Sequence, residues 1–405
     1  MAEHRGAADG PGASRQVIAT ILAATLCRVV LNVSRRFAYP FAPVLSRGLG
    51  VPLTAVTSLI ALNQATGLAA LASGPVADRF GYRPLMTVAM ALLIAGMLAA
   101  GLVPLYGVVL ICLLLGGTAK SVFDPTVQAY AGENVSYSRR GMVIGIMEFS
   151  WSASSLVGIP LVGLLIDRFG WRSPFFALAA AGLAAWALLA MTFRSHRSRH
   201  RPTRTAGNPL GAWRELLAHR PALGAVGFAF FISLANDNLF VIYGAWLEKA
   251  FGLGVVALGV GTGLIGGAEF LGELLTATRA DRMGLKWAVC GGTALSIFSY
   301  GLLPLCEGTL PLALAGLFGV FLTFEFSLVS FLSLATELMP GLRATLMASL
   351  LAAASLGRMV GALLGGPLWL SRGIRGTVLV SCATALLGLA ILLWGLYRWR
   401  VEKPA

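Results

Sequence analysis

Long apolar runs broken by short polar turns make up nearly the whole chain. Twelve runs are close to or above the roughly 20 residues that cross a bilayer as a helix. Six cover residues 16–44, 54–75, 84–103, 106–131, 141–165 and 174–193; six more cover 221–245, 254–277, 287–304, 310–335, 345–370 and 377–397. A helix satisfies its own backbone hydrogen bonds, which is what a span needs in lipid. The one long polar interruption, 194–220, divides the runs six and six. The pattern therefore predicts an all-α membrane protein of twelve transmembrane helices in two pseudo-symmetric six-helix bundles. These are residues 1–193 and 221–405, joined by a basic linker at 194–220.

Composition agrees. Hydrophobic residues are 57% of the chain and charged residues 12%, about half the charge of a soluble domain. The formal net charge of +14 would fit a nucleic-acid binder, but its placement argues against one. Most Lys and Arg fall in turns on one side of the predicted spans, with the largest block at Arg194, Arg197, Arg199, Arg201 and Arg204. That is the positive-inside asymmetry. It predicts a multi-pass protein of the cell's inner membrane with both termini cytoplasmic, whose macromolecular surroundings are the lipid bilayer and not nucleic acid. Residues 1–14 lack a signal-peptide layout, so the first span is expected to direct insertion. The 49 glycines, among them Gly158, Gly163, Gly361, Gly365 and Gly366, let membrane helices approach closely. Cys27, Cys112, Cys290, Cys306 and Cys382 are scattered, four of them in apolar runs; neither a disulfide framework nor a metal site is expected, and no cofactor is implied.

The turn after the second run is Gly74-Pro75-Val76-Ala77-Asp78-Arg79-Phe80-Gly81-Tyr82-Arg83. A second copy, Ala280-Asp281-Arg282-Met283-Gly284-Leu285-Lys286, follows the eighth run. Asp78 and Asp281 are 203 residues apart, half of 405, as an internal duplication requires. In this setting the first turn resembles the signature loop of the major facilitator superfamily through Gly74, Val76, Ala77, Asp78, Arg79, Gly81 and Arg83. The second copy keeps Asp281, Arg282, Gly284 and Lys286. Arg140-Gly141, Trp151 to Pro160, Gly170 to Phe175 and Glu337 to Arg343 are similar to the efflux-type branch of drug and sugar exporters. Gly158-Ile159-Pro160 departs from the adjacent Gly-Pro of its antiporters. The resemblance implies two bundles working by alternating access around a central cavity, in a chain expected to be a monomer. It implies a conformational latch at the turns, with Asp78 facing the start of the eleventh span near Thr345, and Gly74, Asp78, Arg79, Gly81, Arg83, Glu273, Asp281 and Arg282 as its residues.

Ionisable residues inside spans are costly to keep and point to function. The runs hold Asp124, Glu148, Asp237, Glu269, Glu273 and Glu325 against Arg28, Arg35, Arg36, Lys120 and Arg358. At 1.5 Å of rise per residue, Arg28 lies near mid-membrane. Lys120 and Asp124 are one turn apart on one helix face. Arg28, Lys120, Asp124 and Glu148 are thus expected to share a pocket in the first bundle. Glu325, Arg358 and Glu269 fall at one depth in the second, with a Glu325–Arg358 pair expected. Glu269 and Glu273 are one turn apart, where two charges oppose each other. Asp237, in Asn236-Asp237-Asn238, should face water or substrate. Arg35, Arg36, Tyr39 and Pro40 are placed toward the external end of the first span. There the arginines snorkel to the headgroups, or else contact an anionic substrate. Phe37, Phe41, Phe123, Trp151, Phe230 and Phe324 could line an amphipathic pocket, but are read first as lipid-facing or packing residues.

The proton or substrate candidates are therefore Arg28, Lys120, Asp124, Glu148, Asp237, Glu269, Glu325 and Arg358. The expected function is secondary active transport, proton-coupled export of a small or amphipathic molecule. The alternative is a facilitator or symporter on the same fold, including lipid or lysolipid movement. An enzyme is not expected: no nucleophile–base arrangement or P-loop stands out, and His4, His196, His200 and His219 all fall in the cytoplasmic segments.

Overall fold

The computed structural model describes residues 11–71, 80–135, 137–192, 209–339, 342–397 and 399, and among them all regular structure is helical. The first turn's Gly74, Asp78 and Arg79, and most of the basic linker, lie outside the described residues. The long helices of the first half are α1 (Pro11–Arg36), α3 (Leu53–Ala65, extended by a 3₁₀ turn at Thr66–Ala69), α4 (Tyr82–Leu102), α5 (Tyr106–Asn134), α6 (Tyr137–Ala153) running through a π turn into α7 (Ile159–Phe169), and α8 (Ser173–Thr192), with a short α2 (Ala42–Leu49) between α1 and α3. After α9 (Pro209–Ala218) the second half repeats the plan. It has α10 (Arg220–Phe240), short α11 (Tyr243–Phe251), α12 (Val255–Leu275) with a π turn and a last turn at Asp281–Met283, α13 (Leu285–Leu302), α14 (Leu310–Leu338) and α15 (Arg343–Gly395).

Ten helical stretches are long and apolar enough to cross a membrane. The pair Ala42–Leu49 and Leu53–Ala69, bent by 115°, adds an eleventh. The twelfth is hidden in α15, where Gly373 at φ 62° and ψ −159° breaks the helix in two. The expected twelve spans are thus accounted for among the described residues.

The duplication is written in the backbone. Among the described residues six glycines have positive φ: Gly50, Gly81, Gly170, Gly252, Gly284 and Gly373. They fall into three pairs: Gly50 and Gly252 are 202 residues apart, Gly81 and Gly284 are 203 apart, and so are Gly170 and Gly373. Gly50 at (65°, 31°) and Gly252 at (65°, 28°) both end a short helix in the left-handed conformation that a side chain disfavours. Gly81 and Gly284 each stand just before the helix that leaves the charged turn.

The first span is shorter than its apolar run. Its helix stops at Arg36, and Phe37–Phe41 turn the chain into α2. Pro40 has no N–H to continue the helix and Pro43 starts the next. The halves meet along α3 against α15, along α6–α7 against α12, and through α2 against α11. Glycine makes this possible: a Cβ on Gly244 would strike the Pro40 backbone, one on Gly366 would strike Thr57, and one on Gly266 would strike Ser155 and Leu156. Gly163 and Gly259 bring α7 and α12 to near backbone contact. Gly361 and Gly365 do the same within the second half, against Leu234 and Asn238 of α10, and Gly158 packs on Val33.

Candidate functional site

Two polar groups occupy the interior. The first belongs wholly to the N-terminal half. Arg28 of α1 donates from Nε to Asp124 Oδ1 at 3.1 Å and from Nη2 to Glu148 Oε1 at 3.1 Å. Lys120 donates to the other Asp124 oxygen from one turn earlier on α5, and Gln128 reaches Glu148 at 3.4 Å. Arg28 and Lys120 are buried, whereas the Glu148 side chain is 47% exposed. The structure therefore assembles the four residues that helix spacing had placed at one depth, with one carboxylate at the edge of the group.

The second group joins the halves, and here the expectations need correction. Arg36 does not snorkel. It is 3% exposed, and its Nη2 donates to Glu269 Oε1 on α12 at 2.5 Å. Ser155, in the π turn after α6, donates to the other Glu269 oxygen at 3.1 Å. The Arg36 guanidinium lies 4.2 Å above the Trp151 ring and 5.4 Å from that of Phe240, positions in which aromatic faces attract a cation. Lys120 sits 5.6 Å from the same indole, so Trp151 stands between the two polar groups. The reason for the misplacement is the early end of α1, which leaves Arg35 and Arg36 at an inward helix terminus instead of within a span running on to residue 44.

Arg35 starts a relay between the halves. Its Nη2 donates to Gln64 Oε1 at 2.5 Å, Gln64 Nε2 donates to the Tyr39 hydroxyl at 2.6 Å, and Tyr39 donates to Asp237 Oδ1 at 2.7 Å. Asp237 is buried, as are the neighbours Asn236 and Asn238. Asn238 bonds to Thr377 and Ser381 within its own half, so of the polar triplet it is Asp237 that reaches across.

The expected Glu325–Arg358 ion pair is not among those formed by the described residues. Glu325 is buried on α14, within electrostatic reach of Glu269, Glu273, Arg36 and Arg358. Arg358 on α15 also bears on Asp237 and Arg35. Glu273, expected at the second charged turn, instead accepts a hydrogen bond from Ser152 of the other half at 3.4 Å. At the turns themselves, Arg83, Asp281 and Arg282 are exposed and form no ion pair among the described residues.

Sequence reasoning missed Gln64 and Ser155 and passed over Tyr39 and Trp151. Gln64, next to Asn63 in an otherwise apolar run, had a readable signal: a buried amide in a span needs a partner. Phe37, Phe41 and Phe123 are fully buried packing residues, as expected.

At the opposite end from the charged turns, α2 and α11 face each other. Arg47 donates to Glu248 there at 2.6 Å, and the halves are packed together. We call this the distal end.

Residues 24–268 match the sequence model of the Major Facilitator Superfamily. Over 314 residues the chain is 26% identical to YceJ, an uncharacterized MFS-type transporter of Bacillus subtilis (strain 168), covering 77% of this chain and 79% of that one. It is 26% identical over 205 residues to an MFS-type efflux pump of Mycolicibacterium smegmatis, covering 46% and 47%, and 30% identical over 211 residues to the inner membrane transport protein YnfM of Escherichia coli (strain K12), covering 49% of each. The crystal structure of a bacterial homolog to the human lysosomal transporter Spinster, in an inward-facing and unoccupied conformation, shares the fold, with a TM-score of 0.71 at 16% identity over 96% of both chains.

Proposed function

The chain belongs to the Major Facilitator Superfamily and is a transporter rather than an enzyme, and from that premise we propose a proton-coupled secondary transporter of a small organic solute, working by alternating access. One observation carries the reading: the buried Arg36–Glu269 ion pair joins the two halves. Opening the distal end requires the halves to part there. Separating two buried charges without replacing either partner is strongly unfavourable, on the order of 3–5 kcal/mol. A proton on Glu269 removes one of the charges and lowers that barrier. Glu273 and Glu325 surround the same place with further acids. The packed distal end and the half-exposed Glu148 fit a state open toward the charged turns, which the positive-inside asymmetry assigns to the cytoplasm.

Direction follows from the sign of the coupling. A proton and a solute that exclude each other at Glu269 give export, the activity named for the M. smegmatis relative. A proton and a solute that bind together give uptake. The alternating-access reading is tested without knowing the solute. Spin labels at Leu49→Cys and Ala250→Cys, on the facing short helices, report the distal distance in nanodiscs. The population with separated labels should grow between pH 8 and pH 5, and Glu269→Gln should show it throughout. A single distance that ignores both pH and the substitution defeats the proposal.

A further inference from the structure

The interior contains cations whose hydrogen-bonding capacity the protein does not fill. Arg36 uses Nη2 for Glu269 but leaves Nε and Nη1 without a partner, although the residue is 97% buried by its 3% exposure. Arg28 Nη1 and Arg358 Nε are likewise buried with no partner among the described residues. A buried donor left unmade is costly, the more so when it is charged. Among the carboxylate oxygens of the described residues, the one buried without a partner is Glu248 Oε2, at the distal end and away from Arg36.

The shape around Arg36 narrows what would fill those donors. Trp151 and Phe240 cover the guanidinium, so a ligand meets it in the plane of its N–H groups, which is where an oxyanion binds. Trp151 also presents a broad apolar ring next to Lys120. Arg358, from the other half, adds its charge at the same level: Asp237 and Glu325 feel both Arg36 and Arg358.

We propose that the transported solute is an organic anion, whose carboxylate, phosphate or sulfonate group takes the free N–H groups of Arg36 and whose apolar part lies against Trp151. This rests on the transporter reading and adds the chemical class of the solute. The anion completes the hydrogen bonding of an arginine held ready by two rings, and it draws Arg358 toward the same group from the opposite half. Binding would thus add an attraction between the halves that the empty protein lacks.

The test uses the purified full chain and three probes built on one ring: phenylphosphate, benzyltrimethylammonium and benzyl alcohol. In calorimetric titration phenylphosphate should bind at least tenfold more tightly than either of the others. Arg36→Gln alone strands Glu269 in the interior, so the informative variant is Arg36→Gln with Glu269→Gln. It should lose at least tenfold in phenylphosphate affinity while leaving benzyl alcohol unchanged. A measurement on the unmodified protein backs this up: phenylphosphate should protect the Arg36 peptide from phenylglyoxal, read by mass spectrometry. Phenylphosphate binding no better than its neutral and cationic counterparts overturns the proposal, as does the absence of protection at Arg36. The two readings fail separately. A pH-responsive distal distance with no preference for the anion removes only the solute class; anion binding at Arg36 with an unresponsive distance removes only the coupled transport.

Discussion

Asp124 shows what the burial of charge demands of a single residue. It accepts from both Arg28 and Lys120, and the two cations are buried. Asp124→Asn leaves two positive groups with one carboxylate, Glu148, that touches only Arg28. The loss should be on the order of 3–5 kcal/mol, as for other broken buried pairs. Glu148→Gln keeps Arg28 on Asp124 and removes only the charge of a side chain that is 47% exposed, so it should cost less than about 1 kcal/mol. Thermal melting of the two variants in one detergent checks the order; equal melting temperatures contradict it. This cluster was legible because its members share one half and helix spacing alone fixes their depth. Glu269 was not legible in the same way. Depth made Glu325 and Arg358 look like partners, but choice of partner depends on how the halves dock, and Glu269 meets an arginine from a helix 233 residues away in sequence.

Among the elements, the short helices α2 and α11 decide how tightly the distal end closes. Their ion pair, Arg47–Glu248, has an arginine side chain that is 61% exposed, which limits it to roughly 0.2–1 kcal/mol. The closer constraint is Gly244, where an added Cβ would strike the carbonyl and Cα of Pro40. Backbone cannot yield as a side-chain tip does, so even one methyl group should wedge the distal end. Gly244→Ala should therefore raise the separated-label population at pH 8, by more than Arg47→Gln does. The same label pair measures both, and a larger effect from Arg47→Gln refutes the steric account. These elements show where a hydropathy pattern stops being informative. The run from 16 to 44 was read as one span, since apolar residues continue through Phe37–Phe41. The turn there is set by Pro40 and by packing across the interface, and packing leaves no periodic trace. Gly50 and Gly252 were readable only as two of many glycines. Their matched left-handed angles belong to the backbone.

For the molecule as a whole, the 203-residue period was legible early because the charged turns carry it in Asp78 and Asp281, and the paired positive-φ glycines repeat it in the backbone. What the duplication does not repeat is charge: Arg35 and Arg36 lie on the first half, while Asp237, Glu269, Glu273 and Glu325 lie on the second. The interface is therefore electrically polarised, and this sets how a proton and an organic anion affect each other. An anion on the free N–H groups of Arg36 lies beside the negative charge of Glu269, which holds Nη2 of the same guanidinium. It also faces the charges of Glu273, Glu325 and Asp237, against the attraction of Arg35 and Arg358. A proton on Glu269 removes that repulsion, so each ligand should favour the other, by a reciprocal factor. A coupling of about 1–3 kcal/mol corresponds to 5–150-fold in affinity. Benzenesulfonate, a probe whose own charge is constant over the range, should bind more tightly at pH 5.5 than at pH 7.5. Glu269→Gln should bind the sulfonate tightly at both values. In proteoliposomes an inward proton gradient should then draw the anion inward, opposite to the export that the efflux-type resemblance implies. Sulfonate affinity that falls with falling pH would give mutual exclusion instead, and with it export.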